Sequence, residues 1–100
     1  MLSDGFAEVD LHIEKLREDH KSMDPVMILQ AQLDQFKSCL ESAIAAGLQR
    51  VVFIHGVGVG TLKTEIKKIL RAYEFIEFED APVNQYGIGA TEVRIRKNKG

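Results

Sequence analysis

Polar and apolar residues alternate in "EVDLHI", with Val9, Leu11 and Ile13 on one side and Asp10, His12 and Glu14 on the other. A period of two is that of a half-buried strand, and it predicts a first strand over about residues 8 to 13. The next stretch, "EKLREDHKSM", is charged and aperiodic and reads as a solvated connection, with His20 in water. In "DPVMILQAQLDQFKSCLESAIAAG" the period changes to that of a helix, because Leu29, Leu33, Phe36, Leu40, Ala43 and Ile44 fall on one stripe. Asp24 is placed as N-cap, Pro25 at the first helical position and Gly47 as the left-handed C-terminal cap. "RVVFIH" is a continuous β-branched run, as in a central strand. A second helix is predicted over roughly 61 to 73, buried through Leu62, Ile66, Ile69, Leu70 and Tyr73. Two strands follow, "FIEFED" and "TEVRIR", joined by the loop "APVNQYGIGA".

The order β-α-β-α-β-β, with right-handed crossovers, puts both helices on one face of the sheet. The expected fold class is therefore α/β, a two-layer sandwich with a mixed four-stranded sheet and two helices. Glu77, Glu79, Glu92, Arg94 and Arg96 alternate away from the core. They are expected to pair across strands on the uncovered face. Residues 1–7 read as a flexible N-terminal segment, 8–97 as the domain and 98–100 as a basic tail.

One hundred residues, 45% of them hydrophobic, make a single core with no second lobe. Any ligand must bind on an edge or face of that unit. No apolar run reaches the roughly eighteen residues of a membrane span, and "MLSDGFAEVD" lacks a secretory pattern, so a cytoplasmic location is expected. The single cysteine, Cys39, lies in the apolar stripe and reads as a small hydrophobe. A net charge of −2 argues against a sequence-blind polyanion binder. The distribution changes that picture: residues 1–50 carry five Lys and Arg against nine Asp and Glu, whereas residues 51–100 carry eight against six.

The basic half also holds "FIHGVGVGTLKTEI", a strand, three glycines and a helix start. This order aims backbone N–H groups and a helix N-terminus at an anion. The candidate phosphate-binding residues are Gly56, Gly58, Gly60 and Thr61. The spacing G-x-G-x-G fits neither a dinucleotide fingerprint nor a Walker loop. Lys63, Lys67 and Arg71 stand at i, i+4 and i+8 and form one positive stripe leading away from the turn. Asp10 and His12 project together near the end of the first strand, and His55 ends the second. If those strands are parallel, all three meet at one sheet edge. An antiparallel last strand would bring "YGIGAT" there too.

These residues resemble the Smr domain, the small MutS-related family, which carries an "LDLHG" strand, an "HGxGxG" turn and a late "GxGAT" segment. Here they read "VDLHI", "HGVGVG" and "GIGAT", in that order, and the likeness covers roughly residues 8 to 97. Ile13 stands where the family usually has glycine, and the connection from 14 to 24 is longer than usual. The resemblance implies a fold similar to the C-terminal domain of bacterial translation initiation factor three. It also implies nucleic-acid association, with endonuclease activity on DNA or RNA in several relatives. Carried over, the active-site signature falls on Asp10 and His12, the glycine turn on His55, Gly56, Gly58 and Gly60, and the late segment on Gly87, Gly89 and Thr91. Such a unit is often part of a longer protein.

Cleaving a phosphodiester requires a base, neutralisation of the transition state and a proton for the leaving oxygen. His12 suits the acid–base role, with Asp10 orienting it or holding a divalent metal, Mg²⁺ or Mn²⁺. His55 is read either as a third catalytic group or as a brace for the turn. Asp10, His12 and His55 lack tight metal-ligand spacing, and no metal is assigned. Two readings stay open: a structure-selective endonuclease, and a non-catalytic module docking on nucleic acid, a ribosome or a protein partner. A mononucleotide-binding half-domain fits the β-α-β order but not the glycine spacing.

Overall fold

The computed structural model describes residues 5–58 and 60–96. Residues 1–4 of the expected N-terminal segment and the basic tail 98–100 lie outside them. The elements are β1 (Phe6–Asp10), α1 (Ile13–Leu16), α2 (Pro25–Ala46), β2 (Arg50–Ile54), α3 (Thr61–Arg71), β3 (Ile76–Asp80), α4 (Val83–Tyr86) and β4 (Ala90–Ile95), with a 3-10 turn at His20–Ser22 between α1 and α2.

The sheet order is β1-β2-β4-β3, with β1 parallel to β2 and β4 antiparallel to both β2 and β3. The last strand is thus inserted between β2 and β3. Both crossovers, β1 to β2 and β2 to β3, run in the same direction across the sheet, so crossovers of one hand place α2 and α3 on the same face. One cluster joins Phe36, Leu40 and Ala43 of α2, Leu62, Ile66 and Leu70 of α3, and Val51, Phe53 and Val93 of the sheet. Phe36 meets Phe53 edge-on, with ring centroids 4.7 Å apart. This is a mixed sheet under two long helices, the expected two-layer α/β fold.

The caps of the first expected helix follow local chemistry, and the second expected helix runs over Thr61–Arg71. Asp24 Oδ1 accepts from the Met27 amide at 2.8 Å, and Gly47 closes α2 at φ 75°. Cys39 packs against the core, and burial pushes its thiol up from the ordinary value.

Three expectations are corrected. The first strand runs from Phe6 to Asp10, not over 8 to 13, so Phe6 and Ala7 belong to the sheet and not to a flexible segment. Phe6 is anchored under the Arg50 guanidinium, 4.3 Å from the ring centre. Beyond Asp10 the Leu11 amide still bonds Ile54, but Asp10 then takes the His12 amide and Ile13 enters α1. The connection after it is partly helical, through α1 and the 3-10 turn at His20–Ser22.

The far face of the sheet is also less open than expected. Val52, Ala81 and Ala90 form a second buried cluster there with Phe6, Ile54 and Tyr86, and Tyr86 reaches across to bond Glu8. The cross-strand pairing of charges does occur, between Arg94 and Glu79 and between Arg96 and Glu77. Glu92, however, is only 5% exposed, held by Arg50 at 3.5 Å and Arg94 at 3.0 Å.

Candidate nucleic-acid interface

Register puts the carboxyl ends of β1, β2 and β3 at the same edge as the start of β4. Asp10 pairs with Ile54, Ile54 with Ala90, and Asp80 with Thr91. Ligands of open α/β sheets gather at such an edge. Asp10, His12, His55, the glycine turn and the late glycine loop all stand there.

Asp10 Oδ1 accepts twice from His12, from the backbone N–H at 2.9 Å and from ring Nδ1 at 2.7 Å. An ionised carboxylate only accepts, so Nδ1 carries the proton and Nε2 of a neutral ring is left with its lone pair. Partial burial pushes the Asp10 carboxyl up, but the His12 amide, the His12 ring and the nearby charges of His12 and Lys15 outweigh it and hold it below 3.8. The two side chains are 38% and 41% exposed, within reach of a ligand. His12 Nε2 lies 3.0 Å from where a Cβ on Gly56 would be, so the imidazole rests on the glycine turn itself.

His55 is placed differently. It is 6% exposed, its Nδ1 donates to the Gly56 carbonyl at 2.9 Å, and its Nε2 meets the Thr91 hydroxyl at 2.9 Å. Burial favours the neutral ring and Lys63 adds to it, so its pKa lies below 6.5. Thr91 is itself fully buried and reaches no ligand; its hydroxyl serves His55.

The glycines divide the work. Gly89 accepts at its carbonyl from the amides of His55 and Gly56, and a Cβ on Gly89 would stand 2.9 Å from Gly56 backbone carbons. Two backbones are in contact there, which only glycine permits. The Gly56 amide is thereby engaged within the protein and is withdrawn from the expected anion-binding set. Gly87 ends α4 at φ 74° and sets the loop's direction. The amides of Val57, Gly58, Gly60 and Thr61 donate to no partner among the described residues. α3 starts from Gly60 with no side-chain cap, in contrast to α2 with its Asp24. Uncapped amides and the helix dipole leave this end attractive to an anion.

Lys63, Lys67 and Arg71 form the expected stripe, but two of the three already have a carboxylate. Asp80 Oδ1 lies 3.2 Å from Lys63 Nζ and 4.0 Å from Lys67 Nζ, and these lysines, Lys63 first, hold its carboxyl below 3.8. Arg71 sits over the Phe78 ring at 6.0 Å. Asp80 was absent from the sequence-derived set, although its place at the end of a strand parallel to β2 was a usable signal. Gln32 was missed too: it bonds the Leu11 carbonyl at 2.9 Å, tying α2 to the segment between Asp10 and His12. Among the described residues no group of three or more His, Cys, Asp or Glu gathers as a metal site, and no helix is long and apolar enough to cross a membrane.

Comparison with known proteins places this geometry in a family. The chain is 39% identical over 67 residues to the endonuclease MutS2 of Enterococcus faecalis, covering 66% of the chain and 8% of that protein. It is 35% identical over 86 residues to the endonuclease MutS2 of Thermus thermophilus, covering 84% and 12%. The chain thus spans about a tenth of the length of the curated relatives it matches. The crystal structure of the Smr domain of Thermus thermophilus MutS2 superposes with a TM-score of 0.65 at 29% identity, covering 91% of this chain and 99% of that one. The Smr domain profile matches residues 9–96, and with the shared fold and sheet-edge motifs this chain belongs to the Smr domain family.

Proposed function

We propose that this domain binds nucleic acid through phosphate and cleaves its phosphodiester backbone. The observation that carries the reading is His12: its Nδ1 is tied to Asp10 and its Nε2 is set against Gly56 of the glycine turn. That the MutS2 relatives are named endonucleases supports it. A phosphate seated on the amides of Val57, Gly58, Gly60 and Thr61, with Lys63 alongside, comes to rest next to that nitrogen.

His12 Nε2 then accepts the proton of the attacking oxygen, from water or a ribose hydroxyl. Asp10 stabilises the imidazolium that results. A new P–O bond forms as the bond to the leaving oxygen breaks, and that oxygen takes a proton from His12 or from solvent. The free amides and Lys63 neutralise the charge that builds on the equatorial oxygens. His55 acts as the brace of the turn, since neither ring nitrogen is available. A Mg²⁺ or Mn²⁺ ion would find one carboxylate here, Asp10, and would add Lewis-acid stabilisation of the phosphate.

The test is incubation of the purified domain with labelled single-stranded, duplex and branched DNA and with structured RNA, with and without Mg²⁺ or Mn²⁺. Specific cleavage is expected, and Asp10→Ala and His12→Ala should abolish it. Both residues are half-exposed, so the substitutions should cost about 1 kcal/mol of stability or less, against about 3–5 kcal/mol for Phe36→Ala in the core. Tight binding without cleavage of any substrate would favour the docking module instead.

A further inference from the structure

We infer that the cleft beside the glycine turn receives an unpaired nucleobase of the strand whose phosphate the turn holds; this rests on the nucleic-acid reading above. The cleft has a volume of about 440 Å³ and lies between the first turns of α2 and the segment leading into α3. That is within the range of roughly 300–1,000 Å³ typical of small-ligand pockets. Val26 and Leu29 form one wall, Val57 and Leu62 the other.

Val26 is 76% exposed and Val57 59% exposed. Apolar side chains held in water on both sides of a cleft mark a surface that an apolar face covers. Charge selects what that face is attached to. Lys63 lines the same cleft, as do Gly58 and Gly60 of the anion-facing turn. The occupant therefore joins an apolar flat group to an anion within one residue's reach, as a nucleotide does. In a duplex the base faces are stacked and only the backbone is presented, so the base must be unpaired or extruded.

Gln32 gives the cleft a polar reader. Its Nε2 donates to Leu11 at 2.9 Å, which fixes the carboxamide, and its Oε1 has no partner among the described residues. That oxygen is an acceptor for a ring N–H or an exocyclic amine. Selection for unpaired structure would follow from this cleft and not from the phosphate site.

The test compares a single-stranded thymidylate of about ten nucleotides with an abasic tetrahydrofuran strand of the same phosphate number, by fluorescence anisotropy at low salt. The base-bearing strand is expected to bind about tenfold more tightly, with the same salt slope. Val26→Ser alters no charge and only an exposed side chain outside the phosphate-holding turn, and should bring the thymidylate most of the way down to the abasic level. Amide shifts at Val26, Leu29 and Gln32 should appear with the thymidylate and not with the abasic strand. Equal affinity of the two strands for the unmodified domain, with ordinary salt dependence, overturns the cleft assignment and leaves the phosphate site intact. Failure of both strands to bind overturns the nucleic-acid reading and the cleft with it.

Discussion

His55 spends both ring nitrogens inside the protein, on the Gly56 carbonyl and the Thr91 hydroxyl, whereas His12 spends one and turns the other toward Gly56. Both histidines and Asp10 were identifiable from their strand-end positions. The division between them was not, because it depends on Thr91, 36 positions further along the chain. The difference has a consequence for stability. The pKa of His55 is lowered by folding, so below 6.5 the unfolded chain takes up a proton that the folded one resists. Stability should therefore fall as pH drops through that value. The Asp10 carboxylate, held below 3.8, adds stability above that value that is lost at lower pH still. Urea midpoints between pH 7.5 and 5, taken on the unmodified domain and on His55→Gln, check the first point: the variant should show the smaller decline. Equal declines would show that His55 is not the group responsible.

Among the elements, α2 was legible almost residue by residue, since periodicity, an Asp-Pro start and a Gly end all agree. β1 was displaced because its alternation continues past the point where Asp10 captures the His12 amide, a local bond that competes with the ladder. The four-residue helices α1 and α4 are too short to impose a period, and the insertion of β4 between β2 and β3 leaves no mark in the pattern. The sequence brings the two glycine loops to one sheet edge but does not show that they touch. The joint between them is the contact of Gly89 with Gly56, and it makes Gly89→Ala a sharp test. A methyl group there meets backbone at 2.9 Å, so about 1–3 kcal/mol of stability should be lost by overpacking. Chemical denaturation beside oligonucleotide binding would measure it, and binding should weaken as the turn is displaced. An unchanged midpoint would mean that the two loops separate freely.

For the whole molecule, a net charge of −2 must be reconciled with a polyanionic ligand. The sheet edge does this locally, by gathering the uncapped start of α3 with Lys63 and Lys67, while Asp80 partly offsets them. Asp80 thus competes with phosphate for the two lysines. Binding through about three cations should give a log–log salt slope of roughly −2 to −3. Asp80→Asn should tighten binding several-fold at low salt, and Lys63→Ala should reduce the slope by about one unit or less. Insensitivity of slope and affinity to both changes would make the stripe a solvated face.

The central claim is that phosphate is held between the glycine turn and the Asp10–His12 pair. Titration of the domain with inorganic phosphate and then with a short oligonucleotide, followed by amide and imidazole NMR, tests it most directly. The largest shifts are expected on the amides of residues 57–63 and on the His12 ring, with the His55 ring little changed. Shifts confined to the C-terminal residues, with the turn and His12 silent, would contradict it.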